Sequence, residues 1–141
     1  MPAVFHARRR IEFVDTDMAA IVHFSNFFRF MESAEVEFLR GRGLAVVLEW
    51  EGQRVSFPRV AARCDYFKPV RFQDELELLV HLKRLGQKSL TYQFTFRLQG
   101  QTVAEGEISC VCCKVAPETH QIESIAIPES IRARLQDAQA G

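Results

Sequence analysis

One segment constrains the fold more than any other. Phe27, Phe30, Met31, Ala34 and Phe38 recur at helical spacing and draw a single apolar stripe. Arg29, Glu32, Glu35 and Arg40 read as falling largely outside it, a solvated face on which Glu32 and Glu35 pair with Arg29 and Arg40. Ser25 or Asn26 can cap the start, and Gly41 or Gly43 can end it. A helix with so wide an apolar face needs a broad surface to lie on. The chain after it supplies one, because the period changes to two. Leu76, Leu78, Val80 and Leu82 alternate with Glu77, Leu79, His81 and Lys83. Leu90, Tyr92, Phe94, Phe96 and Leu98 alternate with Thr91, Gln93, Thr95 and Arg97. Residues 75–85 and 89–98 are therefore expected to be half-buried antiparallel strands. Leu85-Gly86-Gln87 and Gln99-Gly100-Gln101 supply the turns.

Residues 5–13, 59–67 and 102–115 read as further strands, with a short one over 122–127 and a terminal helix from Pro128. This order predicts an α+β design, an antiparallel sheet of five to six strands wrapped around one long central helix. With 141 residues, nearly half of them hydrophobic and twelve of them Phe, the chain has material for one core. A single domain over 1–141 is expected. The formal net charge is zero, so no basic field draws the chain to nucleic acid. The Arg8-Arg9-Arg10 run reads as a solvated strand start. No apolar run matches a membrane span, and Met1 to Ala7 hold none fit for a signal peptide. A cytoplasmic protein is expected. Three of four cysteines, Cys110, Cys112 and Cys113, crowd one strand whose neighbours point to opposite faces. They read as reduced, partly buried thiols, and no metal site is expected.

The stretch before the helix is the most specific. Arg10-Ile11-Glu12-Phe13-Val14-Asp15-Thr16-Asp17, followed by Ile21-Val22-His23-Phe24-Ser25-Asn26-Phe27, resembles the 4-hydroxybenzoyl-CoA thioesterase family. Tyr66-Phe67-Lys68-Pro69-Val70-Arg71-Phe72-Gln73-Asp74-Glu75-Leu76 and Gly86-Gln87-Lys88-Ser89 are similar to later family segments, as are Ala104-Glu105-Gly106 and Ile127-Pro128. The resemblance covers nearly the whole chain. It implies a hot-dog fold, a homodimer whose sheets join or a dimer-of-dimers tetramer, and active sites at the subunit interface. It also implies hydrolysis of acyl-CoA to free acid and coenzyme A, with no cofactor beyond the coenzyme A of the substrate.

Thioester hydrolysis needs a nucleophile or a base for water, and donors for the oxyanion. By resemblance Asp17 is the catalytic carboxylate, acting by either route, and Asp15 is structural. Also by resemblance, the backbone amide of Phe24, on the approach to a helix N-terminus, is the oxyanion donor. Relatives often carry Tyr-His where this chain has His23-Phe24, so His23 is shifted by one position from the usual imidazole. It is a candidate acid or orienting group, or a packing residue. Asn26 either holds the catalytic loop or caps the helix. Lys88, Ser89 and Arg71 are candidates to meet the coenzyme A phosphates, with ordinary surface roles as the alternative. Glu32 and Glu35 are further possible acids across a dimer. A hot-dog dehydratase and a non-catalytic acyl-CoA binding protein are the competing readings.

Overall fold

The computed structural model describes residues 4–139. The first three residues of the N-terminal stretch and the last two of the 1–141 span lie outside it. Helix α1 runs Asn26–Arg40 and buries the whole predicted stripe. It ends as the two glycines suggest. Gly43, at φ 71°, takes the left-handed turn, and the Leu44 amide then donates to the Leu39 carbonyl at 2.9 Å.

Strands β1 (Phe5–Arg10), β4 (Arg59–Tyr66), β5 (Glu75–Leu85), β6 (Ser89–Leu98) and β7 (Gln101–Val111) form one antiparallel sheet in the order β1-β5-β6-β7-β4. Period-two alternation puts Leu78, Val80 and Leu82 opposite Phe96, Phe94 and Tyr92 on the helix side. Phe94 in turn faces Gly106. A Cβ there would run into Met31 Sδ of α1, so that side chain would have to shift. Phe27 meets Phe96 edge to face at 5.1 Å, and Phe38 meets Tyr92 at 5.9 Å. Each buried ring contributes roughly 1.5–3 kcal/mol of apolar burial. The outer face is polar, with Lys83 and Arg63 both 2.9 Å from Glu107. One sheet curved around one long helix is the hot-dog arrangement expected.

Three details differ from the sequence expectation. β1 stops at Arg10 rather than Phe13, because Phe13–Asp15 wind into a 3-10 turn. The strand expected over 102–115 breaks at Cys112, whose amide donates to the Lys88 carbonyl at 2.7 Å. Its continuation, β8 (Cys113–Val115), joins a second, four-stranded sheet in the order β2-β3-β8-β9. That sheet contains a hairpin not expected from sequence, β2 (Val47–Trp50) and β3 (Gln53–Ser56), with β9 (Ile122–Ser124) on its far edge. The terminal helix α2, Glu129–Leu135, follows Pro128 directly and buries Ile131 and Leu135. The cysteines carry free thiols.

Candidate active site

The segment between β1 and α1 is held by a dense set of backbone bonds. Asp15 is buried, and its carboxylate accepts the Glu12 amide at 2.8 Å. The Asp15 carbonyl accepts twice, from the His23 amide at 2.9 Å and from Asn26 Nδ2 at 2.8 Å. Asn26 is thus the first residue of α1 and uses its side chain to tie down the loop rather than to cap the helix. Ser25 occupies the cap position without a side-chain capping bond.

Between those ties the chain makes a tight excursion. The Asp17 amide donates to the Ile21 carbonyl, and the Ala20 amide donates to the Asp17 carbonyl, both at 2.9 Å. Ala20 closes the turn at φ 65°. The Val22 amide anchors the return to the Val70 carbonyl at 2.7 Å. Asp17 sits half-buried on this turn. One carboxylate oxygen accepts the Ala19 amide at 2.9 Å. The other has no partner among the described residues.

Asp17 and Phe24 line one cleft of about 400 Å³, a size ordinary for small-molecule sites. Phe27 forms its floor, and Tyr66, Phe67 and Lys68, from the end of β4, form its far wall. Among the described residues, the Phe24 amide donates no hydrogen bond. Phe24 is 62% exposed and Phe67 55%, an uncommon degree for aromatic residues. Tyr66 donates its hydroxyl to the Phe24 carbonyl at 2.9 Å and sets its ring edge on Phe27 at 5.0 Å. Burial, with Cys64 close by, pushes the Tyr66 hydroxyl up to about 12. The cleft therefore offers a carboxylate, an unpartnered amide and apolar walls. That set can hold an acyl group, attack its carbonyl and receive the resulting oxyanion.

The other expected site residues are distributed unevenly. Arg71 lies beside the turn, 3.5 Å from the Ala20 carbonyl. His23 does not line the cleft; its Nδ1 is 2.8 Å from Ser25 Oγ and its ring stacks on Phe24 at 4.7 Å. Lys88 and Ser89 lie beyond the far end of β5, on the order of 30 Å along that strand. They do not line this cleft. The cation that does is Lys68, whose Nζ donates to Gln101 Oε1 at 2.9 Å. Tyr66 and Lys68 belong to the Tyr-Phe-Lys-Pro segment that carried the family resemblance, yet sequence reasoning gave neither a role.

Glu35 corrects the expected solvated face. It is fully buried, paired with Arg59, and Cys110 Sγ lies 3.7 Å away. The reason is helical geometry, because residues 31, 35 and 38 share one face. Glu32 lies 3.8 Å from Arg59, and Arg29 bonds Asn26 Oδ1 at 3.2 Å, so the expected pairs with Arg29 and Arg40 are replaced. Burial pushes the Glu35 carboxyl up, against the opposing pull of Arg59. Burial also raises the Cys110 thiol to about 12 and Cys64 and Cys112 to about 11, which leaves them poor nucleophiles. A larger groove of about 760 Å³ lies on the second sheet, but its charges pair among themselves, Glu49 with Arg54 and Lys114 with Glu123. Among the described residues no helix is long and apolar enough to cross a membrane.

The family model of the thioesterase-like superfamily matches residues 11–135. A 1,4-dihydroxy-2-naphthoyl-CoA hydrolase of Synechococcus sp. (strain CC9311) is 30% identical, with 100% of this chain and 97% of that protein covered. A gentisyl-coenzyme A thioesterase structure aligns with a TM-score of 0.77 at 29% identity, covering 94% of this chain and 99% of that one. A 4-hydroxybenzoyl-CoA thioesterase structure shares the fold, with a TM-score of 0.79 at 18% identity over 94% and 98% of the two chains.

Proposed function

We propose, for a chain that belongs to the thioesterase-like superfamily and hydrolyses coenzyme A thioesters, that Asp17 is the carboxylate of that hydrolysis. The thioester carbonyl sits in the cleft with its oxygen toward the Phe24 amide. Asp17 then works by one of two routes. It attacks the carbonyl carbon, expels the coenzyme A thiolate and leaves an acyl-aspartyl anhydride that water cleaves. Otherwise it takes a proton from a water that attacks in its place, and the same thiolate leaves. Single turnover in ¹⁸O-labelled water separates these, because only the anhydride route can leave label in the Asp17 carboxylate. No cofactor beyond the substrate's own coenzyme A enters either route.

The observation that carries this reading is the shared cleft, which Asp17 and Phe24 both line, with one Asp17 carboxylate oxygen and the Phe24 amide left without partners among the described residues. His23, held by Ser25, orients the turn rather than moving a proton in this scheme. Asn26 holds the loop. The aromatic walls and the aromatic acyl groups named for two relatives favour an aromatic acyl thioester. Lys68, which lines the cleft, and Arg71, beside the Asp17 turn, are the cations this reading assigns to the coenzyme A phosphates. Lys88 and Ser89 reach a substrate here only from another copy of the chain. β4 is the sheet margin with a free edge, which favours a homodimer in which two sheets join, with a dimer-of-dimers as its extension. The reaction belongs to the cytoplasm, where acyl-CoA is made.

The test is a panel of acetyl-, palmitoyl-, benzoyl- and 1,4-dihydroxy-2-naphthoyl-CoA, with free thiol as the readout. Aromatic members are expected to turn over fastest. Binding without thiol release on every member contradicts hydrolysis and favours a binding protein.

A further inference from the structure

We infer that Tyr66 is a positioning residue for the hydrolysis, holding the Phe24 turn so that its amide stays aimed into the cleft. The inference rests on the proposed role of the Phe24 amide. Two peptide planes flank Phe24, and both are pinned. The first carries the Phe24 N–H, and its carbonyl, from His23, accepts the Asn26 amide at 2.9 Å. Because a trans peptide is rigid, that bond fixes the direction of the N–H on the opposite side. The second plane carries the Phe24 carbonyl, and its partner is the Tyr66 hydroxyl at 2.9 Å. The same plane carries the Ser25 amide, whose bond to His23 Nδ1 is longer, at 3.3 Å, so without the Tyr66 bond only that weaker tie holds it.

Tyr66 is well placed to act as a fixed post. It is the last residue of β4 and pairs with Ala104 of β7. The next two amides, of Phe67 and Lys68, both donate to the Val103 carbonyl, at 2.8 and 3.1 Å. The strand end is thus clamped to the sheet. The Tyr66 ring is steadied by its edge-on contact with Phe27, which belongs to α1. The hydroxyl bridges the sheet to the helix entrance across the cleft that holds Asp17. Its raised titration keeps it a donor through neutral pH.

Tyr66→Phe keeps the ring and its contact with Phe27 and removes only the hydroxyl. On whichever thioester of the panel wild type hydrolyses fastest, kcat is expected to fall about fivefold to tenfold, in line with one neutral hydrogen bond. KM is expected to stay within about twofold and the melting temperature to stay unchanged, since ground-state binding and packing are kept. In ¹H–¹⁵N spectra of the full chain the Phe24 amide resonance is expected to move. Unchanged kcat, or a loss of kcat that follows a lowered melting temperature, overturns the positioning role. Asp17→Asn is measured alongside. If it keeps wild-type turnover, the site reading itself fails and this inference falls with it. If it is inactive while Tyr66→Phe is fully active, only the positioning role is lost.

Discussion

Two carboxylates, one before α1 and one within it, live under opposite conditions. Asp17 stands on a tight turn before α1, half-open, with one oxygen unpartnered among the described residues and an unpartnered amide sharing its cleft. Glu35 lies in the middle of α1, fully buried, bonded to Arg59 and close to Cys110. Every buried side-chain polar atom among the described residues has a partner. The contrast teaches where chemistry can reside. A buried acid whose bonds are all made is committed to the fold, and freeing it costs several kcal/mol. An acid whose bonds are left open, beside an equally open donor, is available to a substrate.

The largest effect expected from breaking this contrast is on Asp17. Asp17→Asn keeps an oxygen for the Ala19 amide but removes the charge, so kcat is expected to fall about 10²–10⁴-fold. Its urea midpoint should stay near wild type. Arg59→Met does the reverse. It strips the partner from a buried carboxylate and is expected to cost about 3–5 kcal/mol of stability, read from urea unfolding. Gly106→Ala probes the same buried layer without touching charge. Its Cβ meets Met31, and overpacking is expected to cost about 1–3 kcal/mol. The smallest effect concerns pH. Burial lowers His81 below its usual 6.5, so the unfolded chain binds that proton more tightly. The stability linked to His81 is therefore present above pH 6.5 and is lost as pH falls through the lowered folded value. His81→Gln should flatten that part of the stability profile slightly, since solvent screens a half-buried ring. A steeper profile in the variant would contradict the sign.

Much of the fold was legible because periodicity and burial coincide. The stripe from Phe27 to Phe38 is buried as read, and β5 and β6 have the bounds their alternation predicts. The hairpin of β2 and β3 was missed because both strands are short and largely exposed, so little alternation marks them. The turn at Glu51-Gly52, with φ 48° and 84°, was the available signal. Glu35 was misread because a charged residue suggested a solvent face, although its spacing from Met31 and Phe38 argued otherwise. Asp17 and Phe24 were singled out only through family resemblance, since composition cannot tell a turn Asp from a reactive one; the structure brings both to one cleft. Tyr66 escaped notice because its hydroxyl bonds the Phe24 carbonyl, 42 residues away in sequence.

The most direct test places both carboxylates in one assay. Steady-state turnover of the best aromatic thioester is measured for wild type, Asp17→Asn and Glu35→Gln at a temperature where all three are folded. The account predicts loss of turnover by two or more orders of magnitude in Asp17→Asn, with Glu35→Gln within a few-fold of wild type. Near-normal turnover in Asp17→Asn, or a collapse of kcat in a folded Glu35→Gln, would contradict it.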